Sequence, residues 1–298
     1  MAALVLLSLA CASAPSAPVA RPQEATPAPA RAESGVPPGA AKGSLTFAVI
    51  GDNGTGDKEE YETAQQLTAA HERSPFPLVI MVGDNIYGSE RPQDFVKKFE
   101  APYRSLLDGG VKFYASLGNH DSREQRYYKP YNMEGKLYYS FKAPDQDVRF
   151  FALDTTYLDQ PQIEWLEKEL AGSKEHWKIP YFHHPLYSSG RTHGSDLRLR
   201  SALEPIFIQY GITVVFTGHD HIYERIKPQH GITHFVAGSG GQLRTGDLPK
   251  NSPLTASGFD GDRVFMVVTI DGDQLTFQAI SRTGKVVDSG VIQRRTEG

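Results

Sequence analysis

Leu45-Thr-Phe-Ala-Val-Ile50 runs directly into Gly51-Asp52-Asn53-Gly54, and this join of an apolar run to a glycine-carboxylate exit decides the fold. A stretch this short, apolar and β-branched fits a strand buried on both faces. Similar runs follow at 78–82, 113–117, 148–153, 178–182 and 212–216. Helix-forming stretches lie between several of them. Residues 57–73 are rich in helix formers, and Pro161-Gln-Ile-Glu-Trp-Leu-Glu-Lys-Glu-Leu170 has apolar residues at helical spacing with proline near its start. Alternating strand and helix predicts an α/β sheet domain. From Phe265 to Ile292 the pattern changes to strands joined by Asp-Gly and Thr-Gly turns.

The strand exits carry the chemistry. After the first come Gly83-Asp84-Asn85-Ile86-Tyr87, Gly118-Asn119-His120-Asp121, His183-His184-Pro185 and Gly218-His219-Asp220-His221. Ligands of open α/β sheets collect outside the carboxyl ends of the strands, so these loops are expected to converge. Each motif alone has a plain alternative: Gly-Asp after a strand is usually a turn, and Asn119-His120-Asp121 can be held by its own side-chain bonds. Their joint occurrence at successive exits points to a metal cage. Carboxylate, amide oxygen and imidazole without thiolate suit Fe, Zn or Mn rather than copper or an iron–sulfur cluster. Two ions about 3.5–4 Å apart need a bridging carboxylate, for which Asp84 on the central motif is the candidate.

Further out, the composition sets limits. The chain has 298 residues, with 31 basic and 35 acidic side chains, so its net charge of −4 gives no electrostatic reason to expect nucleic acid. No apolar run reaches the length of a membrane span. Cys11 is the only cysteine, which rules out an internal disulfide. Residues 1–14 read as an export signal, with Ser8-Leu9-Ala10-Cys11 similar to a bacterial lipoprotein box in which Cys11 is lipidated. The box departs from the usual pattern in having Ser8 where an aliphatic residue is common, and an N-terminus with an incidental cysteine is the alternative. Residues 15–43 are rich in Ala and Pro and read as a disordered linker, and residues 44–298 as the catalytic domain. Export to the bacterial periplasm or cell surface, with attachment through Cys11, is the expected location.

By these motifs the chain resembles the calcineurin-like metallophosphoesterases, and within them the purple acid phosphatases of the small, single-domain tartrate-resistant type. The resemblance spans Ser44 to about Gly241. Most of that superfamily begin with Asp-x-His, but Asp52-Asn53-Gly54 has no histidine there. Its place is taken by Tyr87 in the Gly-Asp-x-x-Tyr pattern of purple acid phosphatases. A phenol with a pKa near 10 binds as phenolate only to a strongly Lewis acidic ion such as Fe³⁺. The resemblance implies a four-layer sandwich of two mixed β-sheets flanked by helices.

It also implies two metal ions, Fe³⁺ on Asp52, Asp84, Tyr87 and His221, and a divalent Fe²⁺, Zn²⁺ or Mn²⁺ on Asp84, Asn119, His183 and His219. His183 aligns with the family ligand that precedes x-Pro, which leaves His184 a packing role on the opposite side of the chain. His120 and His193 match histidines that contact phosphate or the leaving group. Arg191 is either a phosphate contact or a solvated loop arginine. His71, His176, His230 and His234 lie in no motif and read as surface or structural. The implied activity is acid phosphatase hydrolysis of small phosphomonoesters, with a metal-bound hydroxide attacking phosphorus in line, by a monomer. Phosphodiesterase or nucleotide hydrolysis on the same core is the alternative, its choice lying with the loops around 127–139 and 188–196. A catalytically silent surface lipoprotein is the third reading, and a full set of ligands argues against it.

Overall fold

A computed structural model describes residues 43–143 and 146–295 together with Met1. The export signal, Cys11 and the Ala/Pro-rich linker up to residue 42 lie outside the described residues. Within them, no helix is long and apolar enough to cross a membrane.

Two mixed sheets form the frame, as the resemblance implied. In the first, β1 (Leu45–Ile50), β2 (Leu78–Val82) and β3 (Lys112–Ser116) run parallel. Beside β1, antiparallel, lie β11 (Val264–Asp271), β12 (Gln274–Ser281) and β13 (Val286–Gln293), giving the order β13-β12-β11-β1-β2-β3. In the second, β5 (Val148–Ala152), β6 (Trp177–Tyr181), β7 (Val214–Thr217) and β9 (Thr233–Ala237) are parallel. Completing it are β4 (Tyr139–Lys142), β8 (Tyr223–Ile226) and β10 (Thr255–Phe259), in the order β10-β8-β9-β7-β6-β5-β4. Strands 78–82 and 45–50 fall where the apolar runs placed them. The expected strand at 212–216 is β7 at Val214–Thr217, because Ile212 is used in closing the turn that precedes it.

The two sheets meet face to face through aromatic side chains. Phe47 of β1 packs edge-on against Phe150 at 5.1 Å and Phe216 at 6.0 Å, and Phe235 against Phe277 at 4.9 Å. Alternation along β5 shows why helices must cover the second sheet. Phe150 enters the core between the sheets, while its neighbour Phe151 points to the other side and joins Leu166, Leu170, Leu199 and Leu203. Those leucines belong to α4 (Gln160–Gly172) and α5 (Leu197–Gln209). On the first sheet's outer face, α1 (Lys58–Arg73) buries Ala64, Leu67 and Ala70. Each of the three helices starts on an aspartate whose carboxylate accepts from a first-turn N–H: Asp57 from Glu60, Asp159 from Gln162, and Asp196 from Leu199. Such a cap contributes about 1 kcal/mol. Helix, sheet, sheet, helix is therefore the layer order, and parallel strands of both sheets leave their carboxyl ends along one seam.

Candidate metal centre

The loops after β1, β2, β3, β6 and β7 meet at that seam. Backbone bonds knit them before any side chain is considered: Asp52 N–H donates to Gly83 O at 2.9 Å, and Gly218 N–H to His183 O at 2.9 Å. The approach is so close that glycine is obligatory at two exits. A Cβ on Gly118 would stand 2.1 Å from Asp84 Oδ1, and one on Gly218 would stand 2.4 Å from Asp52 Oδ2. Three residues at the seam, Asp52 (φ 53°), Asp84 (φ 53°) and His219 (φ 72°), take left-handed backbone despite having side chains. That conformation is costly outside glycine and gathers at functional sites.

Two groups of ligand-type atoms result. Asp52, Asp84 and His221 form one, all buried, with donor atoms within 4.8 Å of one another. Tyr87 joins it: its hydroxyl donates to Asp52 Oδ1 at 3.0 Å and lies 3.1 Å from His221 Nε2. His183 and His219 form the other, together with His184. Asn119 Oδ1 is 3.0 Å from His183 Nε2, and His219 Nδ1 is 3.1 Å from the same nitrogen. Asp84 belongs to both, since its Oδ1 lies 3.4 Å from His183 Nε2.

The donor set fits cations, and hydrogen-bond bookkeeping says why. Val82 O can only accept, so His183 Nδ1, 3.0 Å away, carries the ring proton and Nε2 carries a lone pair. That lone pair faces the oxygens of Asn119 and Asp84 and a nitrogen of His219. One proton on His219 could settle one of these contacts but not all of them. Asp84 Oδ2 is buried and has no hydrogen-bond partner among the described residues. Buried acceptors that converge on one another are costly, and a cation relieves them together. Titration points the same way. Burial, then the charge of Asp84, hold the Asp52 carboxyl well above the usual range. Burial raises the Tyr87 phenol, with Asp52 and Asp84 adding to it. Burial lowers His183 and His219, and lowers His221 to about 4 with help from Arg244. The imidazoles are thus neutral, as metal ligands must be.

Of the two outer histidines, His120 sits 5.0 Å from the Tyr87 ring and His193 4.1 Å from the His219 ring, both exposed to solvent. Arg191 spends a guanidinium N–H on Gly246 O and is exposed. His71 accepts from Phe76 N–H at 3.2 Å, His176 and His230 are exposed, and His234 is buried against Tyr187, in keeping with surface or structural positions. One expectation is corrected. His184 does not turn to the far side of the chain: its ring lies 4.4 Å from His219, because Thr155 in the loop after β5 holds Nδ1 at 3.0 Å.

Two aspartates inside the motifs were quoted in the sequence without a role. Asp121 accepts from the N–H groups of Gly118, Asn85 and Ile86 and from both side-chain amides of Asn85 and Gln125, tying the Asp84 loop to the Asn119 loop. Asp220 is buried between two histidines and accepts from Ser188 Oγ at 2.5 Å and Gly194 N–H at 3.1 Å. It so anchors the loop that carries His193. Acidic residues flanked by ligand-type side chains were the available signal. Arg244, whose backbone N–H donates to His221 O at 3.0 Å, had none, since its partner stands well outside any local motif that contains it.

The calcineurin-like phosphoesterase family matches residues 45–223, which contain all of these loops. The chain is similar to the tartrate-resistant acid phosphatase type 5 of Rattus norvegicus, at 27% identity over 238 residues, 66% of this chain and 72% of the relative. It is also similar to the Fe(3+)-Zn(2+) purple acid phosphatase 12 of Arabidopsis thaliana, at 30% identity over 64% of this chain and 45% of that one. Among solved structures, a purple acid phosphatase from yellow lupin (Lupinus luteus) seeds superposes with a TM-score of 0.65 at 22% identity, covering 84% of this chain and 54% of the other. GAP50, the anchor in the inner membrane complex of Plasmodium, does so with a TM-score of 0.73 at 20% identity, covering 86% and 90%. At those identities the two structures speak to the fold alone.

Proposed function

The chain belongs to the calcineurin-like phosphoesterase family and is a metal-dependent phosphoester hydrolase, and within that family we propose that it is an acid phosphatase of the purple type acting on small phosphomonoesters. The observation that carries this reading is the position of Asp84, shared between the group with Asp52, Tyr87 and His221 and the group with His183, His219 and Asn119. Asp52, Asp84, Tyr87 and His221 would hold Fe³⁺. Asp84, Asn119, His183 and His219 would hold a divalent ion. Bound there, the metals supply Lewis acidity to the phosphate oxygens and lower the pKa of water.

The chain's own groups do the rest. Burial keeps the three ligand imidazoles unprotonated, so their lone pairs stay free in mildly acidic solution. Burial, with Asp52 and Asp84 adding to it, makes the Tyr87 phenol hold its proton, so only a strongly Lewis acidic ion would draw it off. His120, beside Tyr87, and His193, beside His219, are both exposed and would donate hydrogen bonds to phosphoryl oxygens or to the departing alcohol.

Metal-stripped protein should lose hydrolysis of p-nitrophenyl phosphate and regain it with iron plus zinc. The diester bis(p-nitrophenyl) phosphate should turn over about tenfold more slowly or worse. Iron-loaded protein should show a visible charge-transfer band that Tyr87→Phe abolishes. Equal or faster diester turnover would overturn the monoester reading, and a colourless iron-loaded protein would remove Tyr87 from the ligands.

A further inference from the structure

We propose that the cavity beside His219 is a leaving-group subsite for alcohol and polyol phosphates, and that His184 is its hydrogen-bond donor, set in place by Thr155. The proposal rests on the phosphomonoesterase reading above and adds to it the class of substrate.

The cavity measures about 440 Å³ and opens next to the second ligand group. His184, His193, Ser195, Asp196, Leu197 and His219 are among its lining residues. Apart from the imidazoles of His184, His193 and His219, its lining among the described residues is polar or aliphatic, with no tyrosine, tryptophan or phenylalanine to add a large apolar face for an aromatic leaving group. The polar groups around it are mostly committed already. Ser195 Oγ donates to Ser188 O and accepts from Ser188 N–H, and Asp196 caps α5. His184 differs, because one edge of its ring is fixed and the other is open.

Thr155 determines which edge. Its buried hydroxyl oxygen accepts from the His184 backbone N–H at 3.1 Å and lies 3.0 Å from His184 Nδ1. Among the described residues that hydroxyl bonds no other acceptor, and a buried hydroxyl hydrogen takes the one it has, so the geometry assigns it to Nδ1. A neutral imidazole with an accepting Nδ1 carries its proton on Nε2. The ring lies 4.4 Å from His219 and 4.9 Å from His183, which places this donor at the edge of the candidate metal centre on the cavity side.

A fixed N–H there meets the ester oxygen as negative charge develops on it. Hydrolysis breaks the P–O bond to the alkyl group, water provides the new P–O bond, and the alcohol leaves with a proton from that water. His184 gives up no proton. Its help therefore grows with the basicity of the leaving oxygen, large for an alkoxide and small for nitrophenolate.

The test compares metal-loaded wild type, His184→Ala, Thr155→Val and Thr155→Ser on glycerol 2-phosphate and p-nitrophenyl phosphate. Metal content and the affinity for inorganic phosphate, by calorimetry, are measured alongside. His184→Ala should lose about a hundredfold in kcat on glycerol 2-phosphate and less than about threefold on p-nitrophenyl phosphate. Metal content and phosphate affinity should stay at the wild-type values. Thr155→Val should show a smaller loss with the same substrate dependence, and Thr155→Ser should restore it. Equal losses on both substrates, no loss, or a fall in bound metal would each overturn the proposal, the last by making His184 a ligand. Wild type that hydrolyses neither substrate with metal bound would instead defeat the phosphomonoesterase reading itself.

Discussion

The two sheets contribute different chemistry to one seam. Loops leaving β1, β2 and β3 of the first sheet bring oxygens: Asp52, Asp84, Tyr87 and Asn119. Loops leaving β6 and β7 of the second bring nitrogens: His183, His219 and His221. Neither sheet holds a mixed donor set alone. The contacts that join them cross long stretches of chain, as when His219 N–H donates to Asp52 Oδ2 at 2.9 Å over 167 residues. The site is thus a property of the packing between the sheets, and its integrity should track that packing.

The sharpest way to break this division is to remove the oxygen that both groups share. Asp84→Ala should release metal from both positions and lower kcat/KM by about 10³-fold or more, read by metal analysis beside activity. Loss of only one ion per chain would show that the oxygen and nitrogen halves bind independently.

A change at the seam that replaces no ligand comes next. Gly218→Ala places a Cβ 2.4 Å from Asp52 Oδ2 and 3.0 Å from Val82 O, one sheet pressing on the other. Both neighbours are fixed, Asp52 Oδ2 by the His219 N–H and Val82 O by His183 Nδ1, so the sheets must part slightly. Metal affinity should fall by about 10–100-fold, the usual scale for disturbing what supports a ligand. Unchanged affinity in a folded Gly218→Ala protein would mean the seam tolerates separation.

The smallest effect on activity is expected from a histidine of the second sheet that does not face the seam. His234 on β9 is buried, with neither ring nitrogen bonded among the described residues, against the Tyr187 ring at 5.0 Å and near Arg200. Burial, with Arg200 adding to it, lowers its pKa to about 3. An unfolded histidine titrates near 6.5, so between those values the unfolded chain binds the extra proton. Stability is therefore undiminished above pH 6.5 and falls by about 1.4 kcal/mol per pH unit as pH drops towards 3. His234→Phe should flatten this acid limb in denaturant melts and leave the metal content alone. A limb of unchanged slope would assign acid sensitivity to other groups.

Much of the site was legible because its motifs are local. A short apolar run followed by Gly-Asp, Gly-Asn or Gly-His marks a strand and its exit together, and β1, β2, β3 and β7 obey that rule, while β6 is marked by His183-His184-Pro185 instead. α4 was legible from Pro161 and its spaced apolar residues, and the structure adds Asp159 as its cap. Less showed through elsewhere. β8 and β9 are short strands of four and five residues whose place depends on pairing with each other, and α5 carries Pro205 in its interior, which obscures the helical pattern. His184 was read wrongly on strand alternation, since the chain after β6 is no longer extended and Thr155 pulls the ring back.

By itself the sequence determined which kinds of donor stand at which strand exits, because a strand end and its first loop residues are set by a few neighbours in the chain. It also determined the family, since those exits recur in a fixed order. Only the tertiary structure decided which atoms face one another: that Asp84 is shared, that Asp220 anchors the His193 loop, and that His184 turns to the cavity. Those facts depend on how two sheets pack through Phe47, Phe150 and Phe216, and side-chain packing between distant segments has no signature in local sequence.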